Sequence, residues 1–270
     1  MRWINRRPGR LAAVALAALP FVLALIAYAV ASDLRRAENP ADKLLPAPAR
    51  ILETAVNLAT VPDRRSGDIL LWLDTAASLT RLAEGAAISA GLGLGFGLLI
   101  GLLPGVRAGA APFVSVISLI PPLAILPILF IVFGLGELSK VALIVIGIAP
   151  VLIRDIAQRT AEIPEEMLVK AQTLGASTWT ILTRVALPQV LPRLIGALRL
   201  ALGPAWLFLI AAEAIASTEG LGYRIFLVRR YFAMDVIIPY VVWITLLAFL
   251  MDLGLRSLHR RAFPWSGPAT

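Results

Sequence analysis

Residues 163–188 read IPEEMLVKAQTLGASTWTILTRVALP, a polar stretch in a chain that is otherwise mostly apolar. Pro164 suits the first position of a helix, where its missing N–H is no loss, and Glu165 and Glu166 then lie where the positive end of the helix dipole favours anions. Met167, Leu168, Ala171 and Leu174 recur at helical spacing and form one apolar stripe, while Lys170, Gln172 and Thr173 face elsewhere. Gly175 stops this helix, because glycine takes the left-handed cap conformation without a Cβ clash, and Ser177 can cap a second helix carrying Trp179 and Leu182. The expected product is a short helix, a sharp turn and a second short helix ending at Leu187 and Pro188, shaped as a docking surface.

Composition says what surrounds this stretch. Of 270 residues, 59% are hydrophobic and only 16% charged, with a mean hydropathy of +0.84. Such a chain is too apolar for one water-soluble domain and reads as an all-α integral membrane protein. The net charge of +8 does not indicate a nucleic-acid partner, because the basic residues sit between apolar spans, as loops on the cytoplasmic side do. With no cysteine there are no disulfides, thiolate metal sites or cysteine nucleophiles. The single histidine, His259, lies among arginines, and no metal site or catalytic residue is expected.

Toward the N-terminus, Arg2, Arg6, Arg7 and Arg10 precede an apolar run over residues 11–31, long enough to cross a hydrocarbon core of about 30 Å. A cleaved signal peptide competes, but the run exceeds its usual apolar region of roughly 7–15 residues. An anchor helix over 1–31 is expected, followed by an external segment over 32–74 that carries Pro40, Pro46, Pro48 and Pro62 and a helical piece over 47–58. From Thr75 the chain is apolar again. Gly93, Gly97 and Gly101, four apart, permit close approach of a neighbouring helix, in a span that also holds Gly91 and Gly95. Arg107 marks a short inner loop. The next span, 112–133, contains Pro121, Pro122 and Pro127 and is expected to bend beside the solute pathway. Gly134 to Lys140 forms an outer turn, and 141–153 returns toward Arg154 and Arg159. Beyond the polar stretch, a span over 190–217 is interrupted by Pro192 and Pro204, and one over 236–255 leads into a basic tail, 256–270. The expectation is six spans with both termini cytoplasmic, a permease core over 75–255 and the polar stretch on the basic, inner face.

The spacing within 163–188 resembles the coupling loop of binding-protein-dependent ABC importer permeases, whose pattern is E-A-A, three residues, Gly, nine residues, I-x-L-P. Here Gly175 is followed by nine residues and then Val185-Ala186-Leu187-Pro188, while the first box reads Val169-Lys170-Ala171 and lacks the usual acidic start. Ser78-Leu79-Thr80-Arg81, Pro121-Pro122, residues 133–137, residues 196–199, Ala212-Glu213 and Gly220-Leu221-Gly222 look like signatures of the nitrate, sulfonate and taurine permeases. Residues 38–45, 62–72, 226–235 and 261–265 look more like permeases encoded beside urea carboxylase, which are linked to guanidinium or urea-like compounds.

The resemblance implies a type I, MetI-like fold and the translocation subunit of an ATP-driven importer in a bacterial inner membrane. It implies a second permease subunit, identical or not, an ABC ATPase dimer that binds ATP and Mg, and an extracytoplasmic solute-binding protein. No Gly-x-x-x-x-Gly-Lys-Ser/Thr sequence occurs, so this chain itself is expected to bind no cofactor. The ATPase-coupling residues are expected to be Glu166, Met167, Lys170, Ala171, Leu174, Gly175, Ala176, Trp179, Leu187 and Pro188. Candidate pathway residues are Pro121, Pro122, Arg199, Trp206 and Glu213. For these last three the alternatives are respectively a snorkelling arginine, a space-filling indole, and a carboxylate paired with basic groups near Arg199 or in a loop. The resemblance implies guanidinium or a urea-like solute, with a nitrate, sulfonate or taurine-type anion as the alternative. Competing classes are a secondary carrier, which would show repeated halves and paired midplane charges, and a membrane scaffold.

Overall fold

A computed structural model describes residues 8–39, 42–64 and 66–266. Arg2, Arg6, Arg7 and Pro40 of the sequence reading lie outside the described residues. The described chain forms α1 (Arg10–Glu38), α2 (Pro48–Thr60), α3 (Leu70–Leu102), α4 (Pro104–Ile117), α5 (Pro122–Phe133), α6 (Glu137–Ala161) and α7 (Glu165–Thr173). It continues through α8 (Thr178–Thr180), π-helical turns over Ile181–Ala186, α9 (Leu187–Ala216), α10 (Leu221–Arg229) and α11 (Met234–Ala262).

Among the described residues, five stretches are long and apolar enough to cross a membrane: α1, α3, α6, the continuous stretch Thr178–Ala216, and α11. The sixth expected span is a broken pair, α4 and α5, bent by 93°. The break falls where the sequence places Pro121 and Pro122, since a residue preceding proline is pushed out of the helical region. It differs from the expectation in extent. α4 begins at Pro104, so Arg107 lies inside a helix rather than in a loop, and its guanidinium closes the end of α3 on the carbonyls of Ile100 (3.1 Å) and Gly101. The segment 32–74 contains the end of α1, α2 and the first turn of α3, and α11 runs past residue 255 to Ala262.

The centre of the bundle is α3 packed on α6. A Cβ placed on Gly93 would lie 2.9 Å from Leu152 and one on Gly97 2.5 Å from Ile156, while one on Gly101 would overlap Thr160. Gly91 and Gly95, on another face, meet nothing. The four-residue spacing thus brings two backbones together, as dispersion between close-packed helices requires where lipid offers no hydrophobic drive. α9 joins this pair, with Leu82, Leu143, Ile144, Leu152 and Leu209 fully buried among the three. α5 contributes Leu126 and Leu129 to the same core, and α11 adds Tyr240 and Ile244.

α1 stands apart: none of its apolar window is buried against the rest of the chain. It is tied at one end by Tyr28 donating to the Pro46 carbonyl (2.8 Å), Ser32 to the Leu45 carbonyl (3.0 Å) and Arg35 paired with Asp42. The backbone N–H of Leu44 also donates to the Asp42 carboxylate, which with Arg35 holds its pKa below the usual range. α2 lies along α11, where Arg50 reaches Asp235 (3.1 Å).

Candidate functional site

Two sites with different chemistry occupy opposite ends of the bundle. At the α7 end, α7 closes in a Schellman turn: the N–H of Ala176 bonds the Ala171 carbonyl (3.0 Å) and that of Gly175 the Gln172 carbonyl (2.9 Å), with Gly175 at φ +81°. Pro164 is the residue before the helix rather than its first. Ser177 caps the next helix as expected, accepting the N–H of Thr180 (3.2 Å). That helix is not short. It runs without interruption from Thr178 to Ala216, 39 residues, passing through the π turns at Ile181–Ala186. Pro188 withholds the N–H that the Arg184 carbonyl would take, and the Gln189 side chain folds back onto the Val185 carbonyl (2.7 Å). The same amide reaches the sulfur of Met167 (3.3 Å), stitching α7 to α9.

The apolar stripe of α7 is split in use. Leu168 packs against a cluster of Ile163, Ala186, Val190, Leu194, Leu98 and Ile156, and Ala171 is half-buried on the same side. Leu174 is 87% exposed and Trp179 71% exposed, flanked by exposed Met167 and Val169. Glu166 and Lys170 are exposed, and Ala176, Leu187 and Pro188 are half-buried. One face holds the turn to the bundle, and the other offers apolar surface that none of the described residues covers.

At the α10 end, charges are buried instead. Asp74, Ser78 and Arg81 recur along one face of α3. Ser78 donates to Glu213 (2.8 Å) and accepts the Leu221 N–H (2.9 Å). Arg81 spans Glu213 (2.8 Å), Glu137 (2.8 Å) and the Glu219 carbonyl (3.1 Å), and Lys140 closes on Glu137 (2.7 Å). Glu213, which has no exposed surface, also accepts the Gly222 N–H (2.8 Å). Asp74 takes the Gly220 N–H (2.9 Å), Arg224 (2.8 Å) and the Tyr240 hydroxyl (3.2 Å). Gly220 sits at φ +117°, and a Cβ there would meet the Glu213 carboxyl at 2.5 Å, so only glycine fits. Five helices, α3, α6, α9, α10 and α11, are tied through these groups. Every charge buried here has an opposite charge and hydrogen bonds, which is what removal from water demands.

This cluster gives Glu213 a partner other than those expected: it pairs with Arg81 on α3, neither a basic group near Arg199 nor one in a loop. Arg199 instead forks onto Asp252 (2.7 and 3.3 Å), which also takes Arg256 (3.2 Å). Trp206 is buried in the core, with no hydrogen-bond partner for its indole N–H among the described residues. Pro121 and Pro122 form the α4–α5 break, where Arg154 donates to Ser118 (2.8 Å). The sequence reading missed Asp74, placed outside the helix, and gave Arg81 no role. The available signal was their helical spacing with Ser78 at the head of an apolar span.

Residues 93–264 match the family model described as binding-protein-dependent transport system inner membrane component. The chain is 39% identical over 226 residues to the taurine transport system permease protein TauC of Escherichia coli (strain K12), covering 83% of this chain and 80% of that protein. It is 33% identical over 201 residues to the bicarbonate transport system permease protein CmpB of Synechococcus elongatus, covering 73% and 72%. Inward-facing structures of the MetNI methionine ABC transporter share the fold, with a TM-score of 0.59 at 21% identity over 71% of this chain and 96% of the other. These relatives give no support to the urea carboxylase-linked resemblance. The α3–α6–α9 core, the broken α4–α5 pair and the α7 turn are thus a MetI-like arrangement, and the chain belongs to the inner-membrane components of binding-protein-dependent ABC transport systems.

Proposed function

We propose that this permease subunit passes a small solute that carries an anionic group, as zwitterionic taurine and bicarbonate both do, from an extracytoplasmic binding protein at the α10 end to the cytoplasm at the α7 end. The relatives' names support the anion class over guanidinium or urea. Both termini then lie in the cytoplasm, in keeping with Arg256, Arg260 and Arg261 at the end of α11. ATP hydrolysis belongs to a separate ATPase dimer, against which Leu174 and Trp179 dock. A second permease subunit completes the pathway.

The observation that carries this reading is the exposed Leu174–Trp179 surface on a turn continuous with a 39-residue helix. A push on Trp179 is a push on α9, so nucleotide-driven closure of the ATPase reaches the bundle as a rigid-body shift rather than as local melting. Gly175→Leu tests it: at φ +81° a branched side chain costs about 1–2 kcal/mol and reshapes the turn. We expect loss of ATPase co-purification and of transport, and full transport by this variant would refute the docking role. Calorimetry of the partnering binding protein with taurine, bicarbonate, nitrate, guanidinium and urea tests the solute; binding of guanidinium or urea alone would refute the anion class.

A further inference from the structure

Between α6 and α9, toward the α7 end, runs a furrow of about 160 Å³ whose walls include Gly147, Val151, Asp155, Leu200 and Pro204. It shares Asp155, Ala197 and Leu200 with a wider cavity of about 730 Å³ that opens among Arg159, Arg193 and Arg199. The two adjoin at these residues, and together they make a channel-like groove from the middle of α6 and α9 to the charged ends of these helices. Neither the coupling turn nor the charge cluster uses it.

Exposure of Leu200 (84%) and Val151 would by itself suit lipid. Two features of the channel do not. Asp155 stands at the join of furrow and cavity with Arg159, at 3.8 Å, as its one ionic partner among the described residues, and a carboxylate so loosely paired is costly against hydrocarbon. Pro204 has no N–H to give the Leu200 carbonyl one helical turn below, and an acceptor freed in this way is tolerated at membrane depth where water reaches it. The wide end adds a sign. Three guanidinium groups face the carboxylates of Asp155 and Asp252 there. Arg199 is held by Asp252, and Arg159 by Glu162 (3.3 Å) and Asp155. Arg193 makes no ion pair or hydrogen bond among the described residues, and its charge is the one free to act on a solute.

We propose that this channel is the water-filled inner half of the solute path and that the Arg193 guanidinium draws the anionic group of the solute out of the furrow. The proposal rests on the anion-importer reading for its sign but not for its position. The chain has no cysteine, so single cysteines report without background. Val151→Cys, Leu200→Cys and, as a lipid-facing control, Leu25→Cys are made in the full chain. Each is assembled with its ATPase partner in nanodiscs and treated with the anionic sulfonatoethyl and the cationic trimethylammonium methanethiosulfonates.

Both reagents should modify Val151→Cys and Leu200→Cys but not Leu25→Cys, with the anionic reagent faster by about tenfold at Leu200→Cys. Adding Arg193→Gln should remove most of that preference and raise KM for transport more than it lowers kcat. Silence of Val151→Cys and Leu200→Cys to both reagents overturns the path, and cross-linking of Leu200→Cys between two copies in that case assigns the face to a subunit interface. Faster reaction with the cationic reagent leaves the water-filled path standing but overturns the role of Arg193, while the solute class is decided separately by the calorimetry of the binding protein.

Discussion

The two ends of the same helices handle charge in opposite ways. At the α10 end Arg81, Asp74 and Glu213 are buried and each meets an opposite charge supplied by a distant part of the chain. At the α7 end Arg193 is exposed without a partner among the described residues, and Leu174 and Trp179 project from the turn. A buried charge network fixes one geometry, because any displacement strands a charge in a low dielectric. Exposed apolar and basic groups fix none until a partner or solute arrives. The α10 end is therefore closed by the chain itself, and the α7 end is left to be completed from outside.

Breaking the closed end should have the largest effect. Arg81→Ala strands Glu213 and should cost about 3–5 kcal/mol, seen as loss of yield and of the cooperative melt in detergent. Arg81→Lys should rescue little, since an ammonium cannot span Glu137 and Glu213 as the guanidinium fork does. A native-like melt for Arg81→Ala would mean that the network does not hold this end together. Next in size is Gly97→Val, which forces α3 away from Ile156 and should cost roughly 1–3 kcal/mol by overpacking, read in the same melt.

Trp179→Ala addresses the open end. With the indole 71% exposed, the melting temperature should stay within about 2 °C while transport falls at least tenfold, for removing a surface residue changes little in the fold. A parallel loss of stability would place Trp179 in the bundle rather than at a partner surface. The smallest effect belongs to Asp42, in the connection between α1 and α2. Its folded pKa is depressed by the Leu44 N–H and Arg35, so its contribution is complete above the unfolded carboxyl pKa and is lost as pH falls through the folded value. Proteolysis of the α1–α2 connection should be flat from pH 7 to about 5 and rise only in more acid solution, below the ordinary aspartate range near 4. Asp42→Asn should abolish that rise.

The α7 turn was legible in the sequence because its determinants are local. Gly175, Ser177 and the stripe at Leu168 and Ala171 act over a few residues through caps and helical spacing. The break at Pro121-Pro122 was legible for the same reason. Continuity from Thr178 to Ala216 was not, because prolines at 188, 192 and 204 read as interruptions, whereas π turns and the Gln189 side chain absorb the first of them.

The charge cluster shows the other limit. Its pieces, Ser78 with Arg81, Glu137, Ala212-Glu213 and Gly220-Leu221-Gly222, stood in the sequence as separate signatures. Nothing local says that they meet, since Ser78 and Glu213 lie 135 residues apart. The sequence by itself determined the spans, the polar α7 turn and the need for each buried charge to find a partner, because these follow from hydropathy, backbone sterics and desolvation. Only the tertiary structure decided which partner, pairing Glu213 with Arg81 and Arg199 with Asp252 and leaving Arg193 without one among the described residues. That choice depends on how α9 packs against α3 and α11, which no local pattern in the sequence fixes.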